Sequence, residues 1–171
     1  MAELTSKDRL QPSLLDRLAD DEPDQLQESR EKRVLSMSRL RECVLRDLAW
    51  LLNTTRLPSH LEIERYPFVA RSVLNFGLPP LSGTLAHSLN VNELENVLTQ
   101  AIKDFEPRIL RSTVKVRAIL AQDLMSHNTL TFVISGDLWA QPLPLQLYWK
   151  TEIDLESGQV KVEEASRTRE H

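Results

Sequence analysis

The chain predicts an α+β fold, with helices packed on one face of a mainly antiparallel sheet. Three observations carry that prediction. Two stretches repeat apolar residues at spacings of three and four, the helical period. Later stretches alternate apolar and polar residues at the period of a half-buried strand. The two kinds are segregated, helices first and strands afterwards, with no internal repeat, which is the order of an α+β sandwich and not of βαβ units.

The first helical pattern covers residues 36 to 53. Met37, Leu40, Val44, Leu48 and Leu51 form its stripe, and Leu45 and Leu52 widen it. Ser36 or Ser38 suits the N-cap, Arg39, Arg41, Glu42, Arg46 and Asp47 fall on the wet side, and Asn53-Thr54-Thr55 with Pro58 ends the helix. Pro67, Gly77, Pro79, Pro80 and Gly83 punctuate residues 54 to 90. Phe68 to Phe76 between them fits either a short helix or a buried strand, because periodicity does not separate the two at that length. The second helix carries Leu94, Leu98, Ala101, Ile102 and Phe105 on one face, with Asn92 as cap and Glu95 in the capping-box position. Pro107 lacks an N–H and disfavours helical geometry at Glu106, so this helix stops near Phe105.

A long strand is predicted to follow. Leu110, Val114, Val116, Ala118 and Leu120 point one way, and Arg111, Thr113, Lys115 and Arg117 the other. Gln122 to Asn128 is a polar turn. Leu130, Phe132 and Ile134 mark a second strand; Leu143, Leu145, Leu147, Trp149, Ile153 and Leu155 mark a third. Pro142 and Pro144 favour an edge where the third begins. Glu156-Ser157-Gly158-Gln159 is a hairpin turn leading to a short strand at Val160 to Val162. The domain therefore spans 34–163, preceded by a polar arm, 1–33, and followed by a charged tail, 164–171. In the arm, Pro12-Ser13-Leu14-Leu15-Asp16-Arg17-Leu18 is a short helix with Leu14, Leu15 and Leu18 on one face, followed by the acidic run Asp20 to Asp24 and the mixed charges of Glu28 to Arg33. One or two turns cannot hold themselves in water, so this segment packs on its own domain, docks on a partner or stays disordered.

Composition bounds the function. Across 171 residues, 41% are apolar and 27% charged, and the net charge of −4 gives no global attraction to nucleic acid or an anionic membrane. The single cysteine, Cys43, excludes an internal disulfide and a cysteine-only metal site, and reads as a small buried residue. The N-terminus has no apolar core of signal-peptide type, and no run approaches the roughly 20 apolar residues that cross a bilayer. The expectation is a soluble, cytoplasmic protein.

Catalytic patterns are sparse. His60, His87, His127 and His171 are scattered without ligand spacing, and four glycines leave no room for a phosphate loop. Arg111, Lys115 and Arg117 could meet phosphates, but no aromatics interleave them, so a protein-facing or solvated surface is preferred over nucleic-acid binding. Glu106 with Asp104 is the obvious carboxylate pair for a glycosidase. A general acid needs an apolar pocket, whereas Lys103, Arg108 and Arg111 favour a permanent charge on Glu106. Glu106 and Arg108 are better read as ion-pairing anchors, either within the chain or across an interface.

The Pro12 to Leu18 segment, the helix around Leu40 to Leu52, Ser72-Val73-Leu74-Asn75-Phe76-Gly77-Leu78-Pro79 and above all Phe105-Glu106-Pro107-Arg108, in that order, resemble the TssE family. These are baseplate subunits of bacterial type VI secretion systems, within the wider group of phage baseplate wedge proteins historically labelled lysozyme-like. The resemblance covers roughly residues 10 to 163. It implies a non-catalytic α+β part of a contractile injection machine docked at the inner membrane. It needs no cofactor, binds wedge subunits of the TssF, TssG and TssK class and contractile sheath proteins, and helps start sheath polymerisation. By carry-over, Glu106, Pro107 and Arg108 match the family's Glu-Pro-Arg motif, associated with contact to neighbours. Arg111, Lys115 and Arg117, and the arm residues Pro12, Leu14, Leu15 and Leu18, are the further expected partner-binding positions. A peptidoglycan glycosidase using Glu106 is the alternative.

Overall fold

The computed structural model describes residues 13–18, 37–57, 61, 63–81, 90–119, 129–139 and 144–165. Among them the helices are α1 (Leu14–Leu18), α2 (Met37–Asn53), α3 (Pro67–Ala70) and α4 (Val91–Phe105), with two 3-10 turns at Ile63–Arg65 and Val73–Asn75. The strands are β1 (Lys115–Ile119), β2 (Thr129–Leu138), β3 (Leu145–Asp154) and β4 (Val160–Glu164). They form one antiparallel sheet in sequence order, β1-β2-β3-β4. Helix α2 packs on β4, α4 packs on β1, and the two helices touch each other, so the fold is α+β as expected.

The core lies between the two long helices and one sheet face. Leu40, Val44, Leu48, Leu51 and Leu52 of α2 and Leu94, Leu98, Ala101 and Ile102 of α4 meet Phe132, Ile134, Leu138, Leu147, Trp149 and Ile153 of the sheet. Register places these strand residues on one face: Ile134 opposes Trp149, and Leu130 opposes Ile153. Thr151 keeps the same parity and is fully buried among them. The hairpin between β3 and β4 forms as its sequence suggests. The Asp154 side chain accepts from the N–H groups of Glu156 and Ser157, and Gly158 supplies the positive φ of 73°. Asn53 then ties the end of α2 to the start of β4. Its amide donates to the Val160 carbonyl at 2.8 Å, and its oxygen accepts from the Val160 N–H at 2.9 Å.

Several expectations are corrected. Helix α4 starts earlier, capped by Asn90 and not Asn92, because Val91 already packs against the core and extends the apolar face backwards. Glu95 is therefore no capping-box residue. It accepts from the Ala118 N–H at 2.7 Å and covers an outward backbone donor of edge strand β1. Ser38 lies inside α2 and not at its cap. The strand after the corner is shorter than its alternation suggested, since Leu110 to Thr113 form a turn closed by the Thr113 N–H to Leu110 carbonyl bond at 2.9 Å. Phe68 to Phe76 takes the helical option, as α3 and a 3-10 turn, and it is not buried: Phe68 is 91% and Val73 80% exposed. Strand β3 is interior over Trp149–Ile153, but β4 does not reach its first residues, so the start marked by Pro144 is edge-like. Pro12, Ser36, Pro58, Gly83, Leu120, the 122–128 turn, Pro142, Leu143, the four histidines, the charge runs at 20–24 and 28–33 and the tail beyond Ala165 lie outside the described residues.

Gly77 is required by close approach. It has φ 118°, and a Cβ there would collide with the Thr54 carbonyl oxygen, in the bridge that joins Thr55 to Leu78. Gly77→Ala is expected to lower unfolding free energy by at least about 2 kcal/mol, from backbone strain plus the displaced bridge. Urea denaturation of the variant beside the parent checks this, and an unchanged midpoint would refute it.

Candidate functional site

The corner at residues 106–110 is built by the end of α4. Glu106 takes the C-cap, its N–H still bonded to the Ile102 carbonyl at 2.9 Å, and Pro107 blocks continuation. The next residues are stitched to the end of β2. The Trp139 N–H donates to the Arg108 carbonyl at 2.7 Å, the Leu110 N–H donates to the Asp137 carbonyl at 2.9 Å, and Ile109 bridges Leu138. Gly136 makes room, since a Cβ there would lie 2.9 Å from Ile109 Cγ2.

This backbone points two opposite charges at each other. Glu106 is only 3% exposed. Its Oε1 accepts from Arg108 Nε at 2.7 Å and from the Arg108 N–H at 3.1 Å, and its Oε2 accepts from Nη2 at 2.6 Å. The same Nη2 donates to Asp47 Oδ2 on α2 at 2.5 Å. The other Asp47 oxygen accepts from Arg46 Nε at 2.9 Å and Nη2 at 2.7 Å. Arg46 Nη2 in turn reaches Asp16 on α1 at 2.7 Å. Five alternating charges thus join three helices. Burial works against the charged form of Arg108, but the hydrogen bonds and charges of Glu106 and Asp47 outweigh it and raise its proton affinity above the arginine norm. For Asp16, burial likewise favours the neutral form, and it is outweighed by the Ser13 hydroxyl and Arg46, which hold the carboxyl below its usual value.

Beside this ladder lies a groove of about 520 Å³. Leu15, Trp50, Phe76, Phe105 and Pro107 supply its apolar walls, and Asp47, Glu106 and Arg108 a polar one. Phe76 and Phe105 meet edge to face at 5.2 Å. Arg46 lies 5.0 Å over the Trp50 ring, which is half exposed. Such a groove suits an apolar side chain of a partner. It does not suit acid catalysis by Glu106, whose two oxygens are both engaged by Arg108. Asp104 instead accepts from Gln100 at 2.8 Å, with Arg111 at 3.9 Å. Among the described residues no group of His, Cys, Asp and Glu could hold a metal ion.

The expected site residues are brought together only in part. Glu106 and Arg108 pair within the chain, and Pro107 is exposed between them. Leu14, Leu15 and Leu18 are exposed on α1, which the ladder links to the corner, while Pro12 is outside the described residues. Arg111 sits in the turn, apart from the strand face of Lys115 and Arg117. Arg117 reaches Glu95 at 3.4 Å, a weak surface pair. The residues that sequence reasoning missed are Asp47, Arg46, Asp16 and Trp50. Asp47 and Arg46 were assigned to the wet side of α2. The available signal was that Asp47 lies three residues after Val44 and four before Leu51, at core-facing spacing for a charged group.

The family described as baseplate wedge protein gp25 matches residues 38–143, more than half of the chain. The chain belongs to the baseplate wedge protein gp25 family. No curated protein and no solved structure matches it. The gp25-family span runs from α2 through α4, the corner and β1 to the far side of β2, so the Glu106-Pro107-Arg108 corner falls inside it and α1 outside. Membership places the protein among structural components of a baseplate. Among the described residues no helix is long and apolar enough to cross a membrane.

Arg108→Met leaves Glu106 buried without its cation. That variant is expected to lose about 3 kcal/mol of stability, at the low end for a broken buried pair because Arg108 retains some solvent contact. Adding Glu106→Gln should recover part of the loss, and guanidinium denaturation of single and double variants measures both. A single variant as stable as the parent would mean that the pair has no structural role.

Proposed function

We propose that this chain is a non-catalytic, TssE-class subunit of the baseplate of a type VI secretion machine. It binds wedge subunits of the TssF, TssG and TssK class and helps initiate the contractile sheath, in the cytoplasm at the inner membrane. The family match supports the baseplate role. The observation that carries the further step is the corner. Both Glu106 oxygens and the Nε and Nη2 of Arg108 are engaged in holding its shape, which leaves Pro107 and the adjoining apolar groove facing outwards, as a preformed socket for a partner. Leu15 of α1 is part of its apolar wall, and Arg111, Lys115 and Arg117 are exposed cations further along the chain that a large partner would also meet. On this reading Glu106 and Arg108 act as positioning residues, and the partner meets the residues around them.

Co-purification with the proteins of its genomic neighbours tests the proposal. Arg111→Glu, Lys115→Glu and Arg117→Glu together should melt within a few degrees of the parent, because these side chains are exposed, while recovery of wedge or sheath partners falls at least about tenfold. Equal recovery would remove these three cations from the interface. Purified peptidoglycan incubated with folded protein at several pH values should yield no new reducing ends; yields above the blank would put the glycosidase reading in its place.

A further inference from the structure

Helix α1 is held the wrong way round for an amphipathic segment. It has five residues, too few to persist in water alone. Yet Leu14 and Leu18 are 72% and 73% exposed, only Leu15 turns to the groove, and an ion pair ties the helix to α2. The Asp16 side chain is nearly buried against α2, bonded to Arg46 at 2.7 Å and braced by the Ser13 hydroxyl at 2.6 Å. Cys43, one turn earlier on α2, lies against the same carboxylate and is 3% exposed.

We propose that α1 is a latch coupled to the Glu106-Pro107-Arg108 corner, so that seating of the arm and setting of the corner form one cooperative arrangement. The coupling element is Asp47, which gives one oxygen to Arg46 and the other to Arg108. Arg46 Nη2 is shared between Asp16 and Asp47. When Asp16 leaves, Arg46 loses one of its two carboxylates and keeps only Asp47 and the Trp50 ring, with a third of its side chain already in solvent, so it is less firmly placed. Asp47 is then oriented less firmly by Arg46, and Arg108 has a less fixed partner at Nη2. Deletions in such a network are not additive, and the linkage runs equally from corner to arm. Leu15 shares the groove with Phe105 and Pro107, so release of the arm also removes one wall of the socket. This is a property of the free chain and holds whichever partner binds.

The single cysteine gives a direct readout, since release of α1 uncovers Cys43. Thiol labelling of the full chain under native conditions is compared for the parent, Asp16→Asn, Asp47→Asn and Arg108→Lys. With each rate divided by the thiolate fraction found from its pH profile, since the Asp16 carboxylate itself raises the Cys43 pKa, Asp16→Asn should label about tenfold faster, the effect of losing one charge-assisted contact. Asp47→Asn and Arg108→Lys, neither of which alters a residue touching Asp16, should label at least about threefold faster, and Asp16→Asn with Asp47→Asn should rise by less than the product of the two. Each rate is repeated in about 1 M urea, because arm release exposes little surface and responds weakly, whereas global unfolding responds steeply. Asp16→Asn labelling at the parent rate would overturn the latch. Fast Asp16→Asn with parent-like Asp47→Asn and Arg108→Lys would overturn the coupling, as would a steep urea response in Asp47→Asn.

Discussion

Burial of the Glu106 carboxylate is the constraint on which the rest of the structure turns. A charge taken out of water must be met by a partner of fixed geometry, and Arg108 meets it through both side-chain oxygens. The two residues can face each other only because Pro107 ends α4 between them and the following backbone is stitched to β2. Three elements are located by that one pair. Helix α4 must end where it does, β1 must start after the turn at Leu110 to Thr113, and α2 must bring Asp47 to the second side of the guanidinium.

The apolar core and this ionic corner divide the work. Between α2, α4 and the sheet, packing of Leu48, Leu98, Ile102, Phe132 and Trp149 supplies the favourable burial, which is non-directional and would tolerate small rotations of the helices. The corner and the amides supply direction. Asn53 fixes α2 to β4, Glu95 fixes α4 to β1, and Arg108 fixes α4 to α2. Glu95 has a second effect, because occupying the Ala118 N–H leaves edge strand β1 less open to another chain. A surface for partners is therefore better sought at the corner and groove than along that edge.

The legible part of the fold follows from periodicity. The stripes of α2 and α4 and the parity of β2 and β3 rest on local spacing, and Leu40, Val44, Leu98, Phe132, Ile134 and Trp149 fall on the faces that their alternation assigns. Element ends were less legible. In sequence Asn92 with Glu95 reads as the cap, and it is packing of Val91 that moves the cap back to Asn90. Leu110 continues the strand's alternation but lies in a turn, because Thr113 bonds back to it. Tyr66, Phe68, Val73 and Leu74 read as apolar and are exposed, since the short helical turns that carry them pack no face against the sheet.

What the sequence by itself determined is the α+β class, the core faces, the helix stop at Pro107 and the two opposite charges beside it, because each rests on local spacing; that those charges pair within the chain is a finding of the structure. What only the tertiary structure decided is where those charges lead. Asp47 lies 61 residues from Arg108, and Asp16 lies on α1, apart in sequence from both long helices. A carboxylate on a helix flank looks solvated until the corner after a second helix brings a guanidinium to 2.5 Å. Complementarity of that kind comes from the path of the folded chain, and no local spacing encodes it.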